Sequence, residues 1–67
     1  MDAREILFSL TENDKERKLI NIWNIDSIGQ LYVYKNYEPR LIPLAQRAIY
    51  YQLDELIKEE KRKNQQN

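Results

Sequence analysis

The stretch Pro43–Lys63, PLAQRAIYYQLDELIKEEKRK, decides the fold of this chain. Proline opens it, and the first turn of an α-helix tolerates proline because the missing amide has no helical partner to lose. From there Ala45, Ala48, Ile49, Leu53 and Leu56 fall on one apolar stripe at helical spacing. Tyr50 and Tyr51 flank that stripe on opposite sides, and Arg47, Asp54, Lys58 and Lys61 take the outer face. Asp54 and Lys58 stand at the favourable i, i+4 spacing. A helix of ~20 residues is about 30 Å long, too long to be covered by the core of a 67-residue chain. Part of its apolar face is therefore expected to meet another chain.

Upstream, Tyr37–Arg40 contains Pro39 and reads as a turn, with Glu38 biased out of helical geometry by the proline after it. Before the turn, Ile28, Leu31 and Tyr32 share a helical face, with Asp26 as the expected cap. Gln30-Leu31-Tyr32-Val33-Tyr34 is also rich in β-branched and aromatic residues. Helix is the preferred reading here, and a short strand over 30–35 is the competing one. At the start, Asp2 and Glu5 have the spacing of a reciprocal helix cap, which predicts a short helix with Ile6, Leu7 and Leu10 inward. Thr11 then caps a second helix over Glu12–Asn24, on which Leu19, Ile20 and Trp23 form the apolar stripe. One bent helix in place of two is the alternative. The expected organisation is a single helical domain over 1–63 and a frayed tail over 64–67.

Composition narrows the chemistry. Cysteine and histidine are both absent, so neither disulfides nor thiolate or imidazole ligands exist. The carboxylates show no calcium-loop spacing, and no metal or other cofactor is expected. The serines are Ser9 and Ser27 and the single threonine is Thr11. With no histidine to activate them, they suit helix caps better than nucleophilic catalysis. Glycine occurs once, at Gly29, which leaves no loop to cradle a phosphate. The carboxylate pairs Asp54-Glu55 and Glu59-Glu60 have basic neighbours on a helix and read as a solvated face. No catalytic residues are expected, and the chain is not read as an enzyme. It shows neither a basic-then-apolar leader nor an apolar run near the ~20 residues that span a bilayer, so a cytoplasmic protein without membrane contact is expected. A chain this short buries about 60% of its unfolded surface, and a partner chain is the remaining source of stability.

The formal net charge is +0, from 11 basic and 11 acidic residues. Residues 1–38 carry five basic and seven acidic groups, and residues 39–67 carry six basic and four acidic ones. Any contact with phosphate is therefore expected from the second half. The five tyrosines, Tyr32, Tyr34, Tyr37, Tyr50 and Tyr51, are many for this length, and Arg40 and Arg47 lie near them. Tyrosines can edge a thin core, build a protein interface or stack with nucleic acid beside arginine, and all three uses stay open.

Residues 6–60 resemble the helical core of a winged helix-turn-helix domain of the ArsR type. Ile6-Leu7-Phe8-Ser9-Leu10 and Arg17-Lys18-Leu19-Ile20 resemble its opening helices. Ser27-Ile28-Gly29-Gln30-Leu31 resembles the helix before the recognition helix, and Ala48–Ile57 is similar to the recognition helix itself. The resemblance implies that Arg47, Tyr50, Tyr51 and Gln52 approach a DNA groove while Arg40 contacts phosphate. A second resemblance is to the Hha/YmoA family of small helical modulators of bacterial nucleoid proteins. It rests on Leu10-Thr11, Asp14, Leu19, Ile25-Asp26-Ser27-Ile28, Tyr37-Glu38 and Gln52-Leu53-Asp54-Glu55-Leu56.

These readings together predict an all-α bundle of three or four helices, of helix-turn-helix type, with a long C-terminal helix. The leading functional expectation is a small transcriptional regulator that binds duplex DNA through Arg40, Arg47, Tyr50, Tyr51 and Gln52. The rival is a non-enzymatic adaptor or modulator, acting as a homodimer or on a larger protein through Trp23, Tyr32, Tyr34, Leu53 and Leu56. Zero net charge and the excess of tyrosine favour the rival.

Overall fold

In a computed structural model that describes residues 2–65, the chain is all-α. Helices α1 (Ala3–Leu10), α2 (Asp14–Ile22) and α3 (Ile28–Tyr34) lead through a short 3-10 turn (Pro39–Leu41) into α4 (Ile42–Gln65). No strand occurs among the described residues. The segment 30–35 is thus helical through Tyr34: Leu31 fills the core from one face of α3, and that burial outweighs the local preference of its aromatic and β-branched neighbours for strand.

The ends of the helices explain where the expected boundaries shift. Asp2 caps α1 and accepts a hydrogen bond from the Glu5 amide at 2.9 Å. Thr11 does not cap α2. It closes α1 instead, its hydroxyl donating to the Phe8 carbonyl at 2.6 Å. The cap of α2 is Asn13, which accepts from the Glu16 amide at 2.9 Å, while the Glu16 carboxylate accepts from the Glu12 amide at 2.8 Å. Two otherwise orphaned amides are thereby satisfied. The same device recurs one element later, one residue past the expected Asp26. Ser27 accepts from the Gln30 amide at 3.1 Å, and Gln30 reaches back to the Asp26 amide at 2.6 Å.

Helix α2 stops at Ile22, short of the expected Asn24, because Asn24 turns left-handed with φ of 51°. Its amide donates to the Asn21 carbonyl at 3.2 Å and the next amide, of Ile25, to Ile20 at 3.0 Å. This double closure is a Schellman motif, and asparagine is among the few residues that tolerate its left-handed position. The motif folds Ile25 back onto Ile20, and both are fully buried. Pro39 opens the 3-10 turn in the segment expected to turn, and Glu38 before it is extended, as proline demands.

The core joins all these elements: Leu7 from α1, Leu19 and Ile20 from α2, Ile25, Leu31 from α3, Leu41 from the turn, and Leu44, Ala45 and Ala48 from α4. Trp23, Tyr32 and Tyr34 pack against its edge. Only the first part of α4 takes part. Its 24 residues extend about 36 Å at 1.5 Å per residue, and from Gln52 to Lys63 every residue is exposed. The radius of gyration, 13.7 Å, accordingly exceeds the roughly 11 Å of a compact chain of this length. Asn64 and Gln65 of the expected frayed tail belong to α4, and 66–67 lie outside the described residues.

Candidate interaction surface

Helix α4 carries two apolar faces. Leu44, Ala45 and Ala48 are buried. Ile49, Tyr50, Leu53, Leu56 and Ile57 are not, at 45%, 72%, 50%, 61% and 54% exposure. With about 100° of rotation per residue, the exposed set and the buried set are centred roughly 130° apart. The single stripe read from the sequence therefore divides: its alanines enter the core, and Ile49, Leu53 and Leu56 join Tyr50 and Ile57 on a separate outward face. Ile42, also exposed, begins that face at the start of the helix. The face is more than two helical turns long from Ile49 to Ile57, and among the described residues no other element covers it.

Arg47 is placed quite differently from its neighbours. Its side chain is only 25% exposed, because it lies beneath the junction of α1 and α2. Nε donates to the Leu10 carbonyl at 2.8 Å, Nη2 to the Glu16 carboxylate, and Nη1 stands 3.5 Å from the Glu12 carboxylate. The C-terminal carbonyls of α1 and the acidic first turn of α2 converge there, and a cation at that point answers both. Burial alone pushes the Glu16 carboxyl up. The hydrogen bond from Arg47, that from the Glu12 amide, and the charges of Arg47 and Arg17 outweigh it and hold the group below its ordinary value.

The remaining candidates divide by what they already touch. Arg40 is exposed, and its guanidinium forks onto Glu38 at 2.8 and 2.9 Å. That bond holds the Glu38 carboxyl below its usual range and raises Arg40 further. Gln52 accepts a hydrogen bond from the Tyr32 hydroxyl at 2.7 Å, linking α3 to α4, and burial pushes the Tyr32 phenol up. Trp23 and Tyr34 face each other with ring centroids 5.5 Å apart. Tyr51 is half-buried, in an open cleft that includes Leu10 and Arg47. Of the residues singled out from the sequence, Tyr50, Leu53 and Leu56 are the ones that the fold gathers on one uncovered face. Ile49 was placed on the apolar stripe without being named as an interface residue, and Ile57 was not singled out. Their place on this face depends on where the body of the protein sits around α4, which local spacing does not encode.

Among the described residues no three carboxylates cluster closely enough to hold a metal ion. No helix among them is long and apolar enough to cross a membrane. Compared with known protein families, curated proteins and solved structures, the chain matches none.

Proposed function

We propose that this protein is a non-catalytic protein-interaction module, working in the cytoplasm, whose binding element is the outward apolar face of α4. The observation that carries the proposal is the contiguity of Ile49, Tyr50, Leu53, Leu56 and Ile57 on an uncovered helical face. The other large exposed apolar side chains, Ile22, Val33 and Tyr37, lie on α2, on α3 and in the turn after it. Scattered apolar residues of that kind are ordinary on a protein surface, whereas a contiguous patch marks an interaction site. An amphipathic helix with anchors at i, i+4, i+7 and i+8 is a common form of helical recognition. A cysteine-free chain suits the reducing cytoplasm.

Duplex DNA is the competing ligand. Against it, both arginines expected to contact DNA are already paired within the chain, Arg40 with Glu38 and Arg47 with Glu16 and the Leu10 carbonyl. Lys61, Arg62 and Lys63 at the end of α4 are the cations that would carry such contact.

The test is a titration against random duplex DNA at low and moderate salt, with the mass in solution recorded, for the wild-type protein and for Leu53→Glu/Leu56→Glu. The proposal expects no salt-sensitive DNA binding, and association that the double variant abolishes while its helical circular dichroism is retained. A monomer that binds DNA with a steep salt dependence, unaffected by the double variant, would overturn it.

A further inference from the structure

We infer that the occupant of the α4 face is a second copy of the same chain, lying antiparallel about a two-fold axis that passes between Leu53 and Leu56. This rests on the reading of that face as an interaction surface and adds its partner and its register.

Along the face, Ile49, Leu53, Leu56, Glu60 and Lys63 recur at alternating four- and three-residue steps, the spacing of the contact seam of two packed helices. Tyr50 and Ile57 border the seam on one side, and Gln52 and Glu59 on the other. A parallel pair would set Glu60 against Glu60 and Lys63 against Lys63 within the seam, and would put both terminal cation runs side by side. The antiparallel pair removes these conflicts. Leu53 meets Leu56 of the second copy twice, forming a four-leucine centre. Ile49 then lies across from Glu60, Gln46 from Lys63, Tyr50 from Ile57, and Gln52 from Glu59. No like charges oppose each other in any of these layers.

The wider charge distribution agrees. The exposed end of α4 from Lys58 to Lys63 holds four basic residues and two acidic ones. Antiparallel pairing keeps the two cation-rich ends of α4 apart, and it sets the two helix dipoles in opposition. The area approaches that of a standard interface. Side chains of about 200 Å² each, exposed to the fractions given above, leave on the order of 500 Å² of apolar surface per copy. Flanking polar atoms bring this toward the ~800 Å² per partner of a standard stable interface.

Because the chain has no cysteine, a single introduced thiol is unique. The experiment is Lys63→Cys carrying a nitroxide label in the full chain, with the label-to-label distance measured by pulsed electron resonance and the mass by sedimentation. The antiparallel pair places the two positions about 26 Å apart along the helix axes at 1.5 Å per residue, against roughly 10 Å in a parallel pair. In a second experiment, oxidation of Tyr50→Cys/Ile57→Cys should give a covalent dimer, and Leu56→Glu should abolish association while leaving helical content unchanged. A short label distance in a dimer overturns the antiparallel arrangement. A monomer at all accessible concentrations overturns self-pairing. Salt-dependent DNA binding that survives Leu53→Glu/Leu56→Glu is the separate result that overturns the interaction reading itself.

Discussion

Arg47→Ala should destabilise the protein strongly, because it removes the cation on which the α1–α2 junction closes. Three acceptors lose a partner: the Leu10 carbonyl, the Glu16 carboxylate, which keeps the Glu12 amide, and, more loosely, the Glu12 carboxylate. The Glu16 side chain is 8% exposed, and water entering the space left by the guanidinium replaces it only in part. Removing one member of a buried ion pair costs about 3–5 kcal/mol. Arg47 is itself partly solvated, so the lower end applies after discounting, ~2–3 kcal/mol. A chain of 67 residues has a total stability of roughly 3–10 kcal/mol. The loss is therefore a large fraction, and at about 4–8 °C per kcal/mol the melting temperature should fall on the order of 10–20 °C. Urea titration followed by circular dichroism measures it. Glu16→Gln and the double variant complete a cycle that isolates the pair from the Leu10 contact. The reasoning is refuted if Arg47→Ala changes stability by less than ~0.5 kcal/mol, the range of an ordinary surface substitution. In that case the side chain would be available to an external ligand, as the helix-turn-helix resemblance implied.

Gly29→Ala should raise stability by about 0.5–1 kcal/mol, since glycine inside a helix loses more backbone entropy than alanine. Gly29 has no positive φ, and an added Cβ would meet only the Ser27 hydroxyl at 3.8 Å, an ordinary contact. A lowered melting temperature would contradict the helical geometry of α3. Stability should also fall on acidification. Glu16 has a folded value below its ordinary 4.5, so its contribution is fully present above pH 4.5 and is lost as the pH falls through the depressed value. Urea midpoints measured between pH 7 and pH 3 should show this decline, to which the lowered Glu38 also contributes, and Glu16→Gln should lessen it. An unchanged slope in that variant would show that Glu16 is not the responsible group.

Much of the fold was legible in the sequence because helix formation is a local affair. The stripe spacing of 43–63, Pro43 in a first turn, the Asp2 cap and the inward set Leu7, Leu19, Ile20 and Leu31 follow from 3.6-residue periodicity and from hydrogen bonds within a few residues. The caps were displaced by one or two residues, from Thr11 to Asn13 and from Asp26 to Ser27. Each of these segments offers adjacent residues able to accept the same amide hydrogen bond, and only the path of the chain selects among them. The stop at Asn24 carries no strong local signal, because asparagine both ends helices and sits inside them. Its left-handed turn is favoured by the burial of Ile25 against the rest of the core.

The candidate site depended far more on long-range structure. Local spacing determined that α4 would be long, amphipathic and richer in apolar positions than one core could use. Only the tertiary structure decided which of those positions were used. The body packs against Leu44, Ala45 and Ala48, and so leaves Ile49, Leu53, Leu56 and Ile57 turned away. Arg47 is the same case in reverse. By sequence it stands on a helix exterior beside two tyrosines, like a residue awaiting a phosphate. Its acceptors, 31 and 37 positions away along the chain, come within reach only when α1 and α2 fold across α4. Periodicity reports which side of a helix is apolar. Which apolar side is covered, and which charge is already answered, are properties of the contacts between distant elements.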